Sequence, residues 1–409
     1  MPMRGVALLA MLTSQAWAQD ATTLRDMLRP RATLRTAVWT SSRTVDNRGP
    51  LVGSAMWAEV APRFSEDVDL RAAGWLGAGG VAGRSHAQAA LRELYIGVHH
   101  GAVDVRLGKQ ITAWGRADAV NPTDNLSPDD LTLLVVDDDD QKTGVPSVRV
   151  SLDARGTTVT ALWLTDFRGN KLPLGRPPPG TELASPPRGD VAAQGALRVE
   201  RSGGRVDWSL SYFSGFDLTP DIAPRGTAAD PKIELSYHRL HVLGADGATV
   251  LGRFGVRAEA AWIRTEDATG RDAEIKNSTV FAVIGADRTF GPSLNVNLQY
   301  LVRWVQGFTP AETEVAHVLA RISQQQRRIQ HGATLRIANR WWHETLDAEF
   351  AAVFLGAPLQ LAVRPRVAYA LTDRWHVEVG ADLVDGGAGT LFHELRRNSL
   401  AFCEVRLGL

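Results

Sequence analysis

Cysteine is nearly absent: Cys403 is the single thiol in 409 residues, so no intramolecular disulfide framework holds this chain together. Net charge is absent too. Its 45 lysines and arginines balance 45 aspartates and glutamates, which argues against a general nucleic-acid or polyanion binder. After the N-terminus no segment supplies the ~18 uninterrupted apolar residues of a transmembrane helix. There is no G-x-S-x-G elbow and no H-E-x-x-H pair. No residues call for a cofactor or a resident metal. The run Asp137-Asp138-Asp139-Asp140 lacks the alternating ligand spacing of a calcium loop.

What is present is alternation. Between Ser293 and Trp304, Leu294, Val296, Leu298, Tyr300, Val302 and Trp304 share one strand face, while Asn295, Asn297, Gln299 and Arg303 share the other; only Leu301 breaks the pattern. About ten such residues suffice for a tilted strand to cross a bilayer. The pattern recurs at 204–214, 248–263, 358–370 and 374–384. It fades in the first strand and at 278–287, where register is ambiguous. Met1–Ala18 has the make-up of a secretory signal, with Arg4, an apolar stretch Gly5–Leu12 and the small-residue site Ala16-Trp17-Ala18. An exported chain without spanning helices satisfies its backbone in lipid only as a closed barrel.

The expected fold is therefore all-β: an antiparallel transmembrane β-barrel over residues 31–409 with about 18 strands (16 as the alternative count), after a signal peptide at 1–18 and a periplasmic lead-in at 19–30. Strands are expected at 231–242 and 248–263, among others. Connections should alternate between short periplasmic turns, such as His100-Gly101, Gly244 to Gly247, Gly291-Pro292 and Thr372-Asp373, and long extracellular loops. Trp75, Trp163, Trp262 and Trp304 fall late in outward-running strands, and Trp341, Trp342 and Trp375 flank an inner turn, as two aromatic girdles would. Cys403 is expected to face lipid.

The longest expected outside loop, the third, runs from Thr112 to Thr143. It holds Trp114, Arg116, Asp118, Asn121, Asp124 and Asp137, Asp138, Asp139 and Asp140. Two placements are open to it: folded inward as a constriction, or lying on top of the barrel. Expected pore-lining cations are Arg106, Arg149, Arg253, Arg257, Arg303, Arg336, Arg364 and Arg366; expected pore-lining anions are Glu259, Asp347 and Glu349. The bland reading is that these charges pair across strands and keep the wall wet. The sharper one is a basic ladder facing an acidic loop, a transverse field that orients permeating solutes.

Leu91-Arg92-Glu93-Leu94-Tyr95, then Arg106-Leu107-Gly108-Lys109-Gln110, Trp114-Gly115-Arg116-Ala117-Asp118 and Asn121-Pro122-Thr123-Asp124, resemble the signature of a porin-like group of proteobacterial outer-membrane barrels of unknown function. The resemblance covers about 60 residues and implies barrel and compartment, not substrate. The alternating end, Ala401, Cys403, Val405, Leu407 and Leu409, is similar to the terminal β-signal of outer-membrane proteins, with Leu where an aromatic is usual. In general porins, the third outside loop folds into the channel and narrows it. These features predict an outer-membrane channel, not an enzyme, passing small hydrophilic solutes including anions. Its neighbours would be lipid, solute and, in one alternative to a monomer, further copies of itself. The competing readings are a hydrolase on a barrel scaffold and a structural partner of a periplasmic export machine.

Overall fold

The computed structural model describes residues 27–43, 49–80, 87–173, 181–183, 193–227, 230–356 and 358–409. The expected signal peptide lies outside them. The strands in chain order are β1 (Arg31–Trp39), β2 (Leu51–Val60), β3 (Val68–Gly79), β4 (Gln88–His100), β5 (Val103–Gln110), β6 (Val145–Ala154), β7 (Thr157–Leu164), β8 (Thr181–Leu183), β9 (Gln194–Arg201), β10 (Val206–Phe216) and β11 (Asp221–Thr227). Then come β12 (Asp230–Ser236), β13 (Arg239–Leu251), β14 (Phe254–Thr265), β15 (Thr279–Phe290), β16 (Leu294–Val305), β17 (Ile329–Trp341), β18 (Leu346–Leu355), β19 (Gln360–Ala370), β20 (Trp375–Gly386) and β21 (Leu400–Gly408). Eighteen of them form one antiparallel sheet, and β1 pairs with β21 from Thr33↔Gly408 to Trp39↔Phe402, so the sheet closes on itself with no free edge. The remaining three, β8, β11 and β12, make a small separate sheet.

The polarity of the wall is inside out relative to a water-soluble protein. Leu298, Tyr300 and Trp304 of β16 point outward and are exposed, whereas Asn297 and Gln299 are buried in the interior. Leu197, Leu210, Leu243, Ile284 and Leu383 repeat the outward pattern on other strands. A continuous apolar belt of this kind is stable only against lipid. Among the described residues no helix is long and apolar enough to cross a membrane, so strands do the spanning. Trp163, Trp262 and Trp304 occupy the outward face towards one rim, Trp341, Trp342 and Trp375 the other. Cys403 is exposed on the outer face.

Two expectations of register are corrected. Gly244 to Gly247 is not a turn: β13 runs straight through it, and the chain reverses at Gly252-Arg253, with Gly252 at φ +64°. The glycine-rich segment looks like a turn but is a strand with small side chains. A Cβ at Gly244 would lie 2.6 Å from the Thr123 side chain of the long loop, so the glycine makes room for that loop. Residues 231–236 belong to the small sheet instead. Trp75 faces inward, its ring tilted against that of Trp57 with centroids 6.0 Å apart, and is no part of a girdle.

Candidate functional site: a loop docked across the lumen

The segment between β5 and β6 does not lie on top of the barrel. Its apolar side chains are buried against inward-facing wall residues on several sides. Trp114 and Leu126 pack with Leu162, Phe213, Val242 and Ala261; Ala117 packs with Phe281, Val283 and Leu301. Leu133 and Val135 pack with Trp57 and Trp75; Leu134 and Val136 pack with Trp39, Leu400 and Phe402. The segment thus crosses the interior from the β7–β16 wall to the β19–β4 wall.

At the first wall the anchor is Glu259 on β14, whose residue is 2% exposed. One carboxylate oxygen accepts from the backbone N–H groups of Arg116 (2.8 Å) and Ala117 (3.1 Å). The other accepts from the Thr123 N–H and hydroxyl, both at 2.8 Å. Gly115, at φ +104°, lies directly over this carboxylate; an added Cβ would sit 2.7 Å from both oxygens. Arg116 reaches past it to Asp246 and Glu200, each at 2.6 Å. Asp118 meets Arg257 at 3.2 Å and the Asn297 amide, and the Gln299 amide meets the Asp118 backbone N–H and C=O at 2.9 and 3.0 Å. Asn121 opens a turn closed by Asp124 N–H at 3.3 Å, and Asp124 pairs with Lys142 at 2.8 Å, tying the two halves of the loop together.

At the opposite wall the four aspartates meet arginines. Asp137 pairs with Arg406 (3.0 Å) and Arg366 (3.3 Å), Asp138 with Arg364 (2.6 Å), and Asp140 with Arg35 (2.5 Å) and Arg92 (3.5 Å). The Asp139 backbone carbonyl accepts from Arg92 at 2.5 Å. Arg43 caps the Leu133 and Val135 carbonyls from the β1–β2 side. Carboxylates buried among guanidiniums hold their protons weakly. Burial alone would raise the Asp137 pKa, but Arg406, then Arg366 and Arg35, outweigh it and the net shift is downward. Asp124 and Asp129 shift the other way: burial raises both, and Lys142 offsets only part of it.

The expected basic ladder is therefore mostly compensated. Arg336 and Arg366 share Glu349 at 2.5 Å each; Arg364 also holds Asp382 at 2.6 Å; Arg257 also holds Asp287 at 2.6 Å. Arg106 pairs with Asp104 at 3.3 Å, and Asp347 with Arg340 at 3.1 Å. Arg253 is exposed in the β13–β14 turn and stands outside the interior altogether, a consequence of the corrected register. Arg149 donates to the Ser151 hydroxyl at 3.3 Å, and Arg303 lies over the Phe281 ring, 4.6 Å from its centroid; neither makes an ion pair among the described residues. Arg35, Arg43, Arg92, Glu200, Asp246 and Glu93 belong to the docking surface and were not anticipated. One sequence signal for that surface existed: inward apolar residues such as Leu301, Phe281 and Phe402 interrupt the polar lumen face wherever the loop lands.

Two cavities lie beside the loop on the β16–β19 side. One of about 800 Å³ lies beneath the loops following β10, β14 and β16, and a second of about 190 Å³ lies between Val120 and the wall; Arg303 and Gln324 line both.

No family model and no curated protein matches the chain by sequence. Solved structures do match in shape. OccK5 (OpdH) of Pseudomonas aeruginosa aligns over 94% of this chain and 98% of its own, with 12% identity and a TM-score of 0.54. OpdK of the same organism, an outer membrane protein crystallised with vanillate, aligns over 93% and 98% with 11% identity and a TM-score of 0.57. OccAB1 of Acinetobacter baumannii aligns over 93% and 95% with 10% identity and a TM-score of 0.56. The chain is similar to these proteins in fold.

Proposed function

We propose that this chain is a passive channel of the bacterial outer membrane, admitting small hydrophilic solutes with a preference for anions. The observation that carries the reading is the combination of a closed barrel, a lipid-compatible exterior, and an interior narrowed by one docked loop, beside which Arg303 lines two cavities. A buried loop held by a dense set of ion pairs is a rigid constriction, and rigid constrictions select by size and charge. The resemblance of Leu91–Asp124 to the porin-like outer-membrane group supports the compartment, and likeness of fold to outer membrane protein OpdK supports the same reading.

The test is direct. Purified full-length protein reconstituted in planar bilayers gives stepwise conductance, and a KCl gradient gives a reversal potential of the sign for anion preference, weakening as salt rises and screens the wall charges. Fully folded protein that never conducts would overturn the channel reading and favour a plugged barrel that partners other proteins.

A further inference from the structure

Arg288 sits on the lipid-facing side of the wall. On β15 it shares its face with Ile284 and Phe290, both exposed, and it pairs across the sheet with Val296, on the face of Leu298 and Tyr300. Asp287, the preceding residue, points the other way and holds Arg257 at 2.6 Å, so that carboxylate is spent inside the lumen. Two residues beyond Arg288, about 7 Å along the strand, β15 ends in the short turn Gly291-Pro292-Ser293. Short turns mark the periplasmic rim of outer-membrane barrels, which puts Arg288 at the depth of that leaflet's headgroups.

Its surroundings hold the guanidinium in place and give it no counter-charge. The Phe290 ring centroid lies 4.6 Å away and the Phe254 centroid 5.1 Å, so two aromatic rings flank one cation. The Arg288 Nε is buried without a hydrogen-bond partner, and the side chain makes no ion pair among the described residues. The lumen arginines Arg336, Arg364 and Arg366, by contrast, spend their donors on carboxylates. Arg253, in the turn just before Phe254, is exposed and likewise makes no ion pair among the described residues. A guanidinium fixed between rings at the membrane interface offers a phosphate two parallel N–H donors. A headgroup of net negative charge neutralises this patch, whereas a zwitterionic one brings an ammonium that adds to the positive charge already there.

We propose that Arg288, between Phe254 and Phe290, is a binding site for an anionic phospholipid of the periplasmic leaflet. The lipid's phosphodiester sits on the Arg288 guanidinium, and its acyl chains run along outward apolar side chains such as Ile284 and Leu298. The site rests on the placement of the barrel in the outer membrane. It is independent of what passes through the lumen.

Native mass spectrometry reads the site on the full-length folded protein, released from a nonionic detergent after incubation with one lipid at a time. Palmitoyl-oleoyl phosphatidylglycerol is the probe, with the phosphatidylethanolamine and phosphatidylcholine of the same acyl chains, and inorganic phosphate, as comparisons. The one-to-one phosphatidylglycerol adduct is expected to be at least fivefold more abundant than that of either zwitterionic lipid, and excess inorganic phosphate is expected not to displace it. Arg288→Gln should bring that adduct down to the zwitterionic level while heat-modifiable mobility and conductance stay as in the wild type. Arg288→Lys, which keeps the charge without the planar fork, should fall between the two. Equal adducts from the three lipids on the wild-type protein, a comparison that needs no variant to fold, overturn the site. So does an unchanged phosphatidylglycerol preference in folded Arg288→Gln. Displacement by inorganic phosphate would overturn the lipid assignment in favour of a free-phosphate site. A preference that depends on Arg288 in protein that never conducts would keep the site and defeat only the channel.

Discussion

Glu259 concentrates the energetics of loop docking in one carboxylate. Four donors converge on it, and no arginine, lysine or histidine pairs with it among the described residues, so its charge is held by backbone N–H groups and a hydroxyl. Removing it as Glu259→Ala leaves buried donors without an acceptor, each costing about 1–3 kcal/mol when unsatisfied. The variant is expected to lose the docked position of Trp114–Asp124 while the barrel persists, seen as a several-fold rise in single-channel conductance with unchanged heat-modifiable mobility of the folded barrel. Glu259→Gln retains one acceptor oxygen and should fall between the two. At Gly115 the argument is steric. Any Cβ there meets both carboxylate oxygens at 2.7 Å, and φ +104° is strained for an L-residue besides, at a cost on the order of 1–3 kcal/mol. Gly115→Ala should therefore reproduce the Glu259→Ala conductance. Wild-type conductance from Gly115→Ala would mean that the loop relaxes around the clash and that Glu259 is not the anchor.

At the scale of the element, the loop is fastened at two ends with opposite acid responses. Asp137 has a folded-state pKa below its ordinary value of about 3.9, so its contribution to docking is complete above that pH and is lost only as pH falls through the lower folded value. Asp124 and Asp129 have raised values; protonation favours the folded form there, and acid does not loosen that end through them. Conductance should stay flat from neutral pH down to about pH 4 and rise below it. The groups facing Asp137 from the wall are Arg366, Arg406 and Arg35, with Glu378 and Glu404 beside them. Asp137→Asn isolates the loop's share: it should show the raised conductance already at pH 7 and a flatter acid limb. An identical acid limb in Asp137→Asn would assign the response to the wall carboxylates.

How much of this was readable in the sequence follows from the periodicities involved. Strand alternation is local, so β16, β19 and β20 and their lipid faces could be read from a few residues each. The two strands that alternated poorly, β1 and β15, are those whose inward faces carry Ala37 and Trp39, or Phe281 and Val283, beneath the loop. Their ambiguity came from a long-range contact that no short window contains. The same holds for Gly244–Gly247, whose composition means a turn in isolation and a docking surface in the folded chain. The acidic loop facing basic strands was legible as charge, but which arginine meets which aspartate depended on closure of the barrel, which places Arg35 and Arg92 beside Asp140.

For the whole molecule, the division of labour between wall and loop can be tested by separating them. The wall is closed by its own hydrogen-bonded ladder from β1 to β21, and the loop contributes none of those pairs. Gln110 and Val145, the last residue of β5 and the first of β6, are direct cross-strand partners, so a two-residue Asn-Gly hairpin turn can replace residues 111–144 without altering their register. The shortened chain should still form a barrel, because closure, not the loop, satisfies the backbone in lipid. It should also be less stable, since Trp57, Trp75, Phe281, Leu301 and Phe402 would then face water in the lumen, each forfeiting part of the ~1.5–3 kcal/mol that burying a large apolar side chain supplies. Its conductance should rise several-fold. Its preference for anions should strengthen at low salt, because Arg364, Arg366 and Arg406 lose Asp137 and Asp138 while keeping only their wall partners. Screening predicts that this gain vanishes towards 1 M salt, where the Debye length is about 3 Å. A shortened barrel that conducts more but turns cation-selective would show that Glu349, Glu378, Asp382 and Glu404 dominate the wall, and that the loop aspartates serve to dock the loop without setting the sign of the pore.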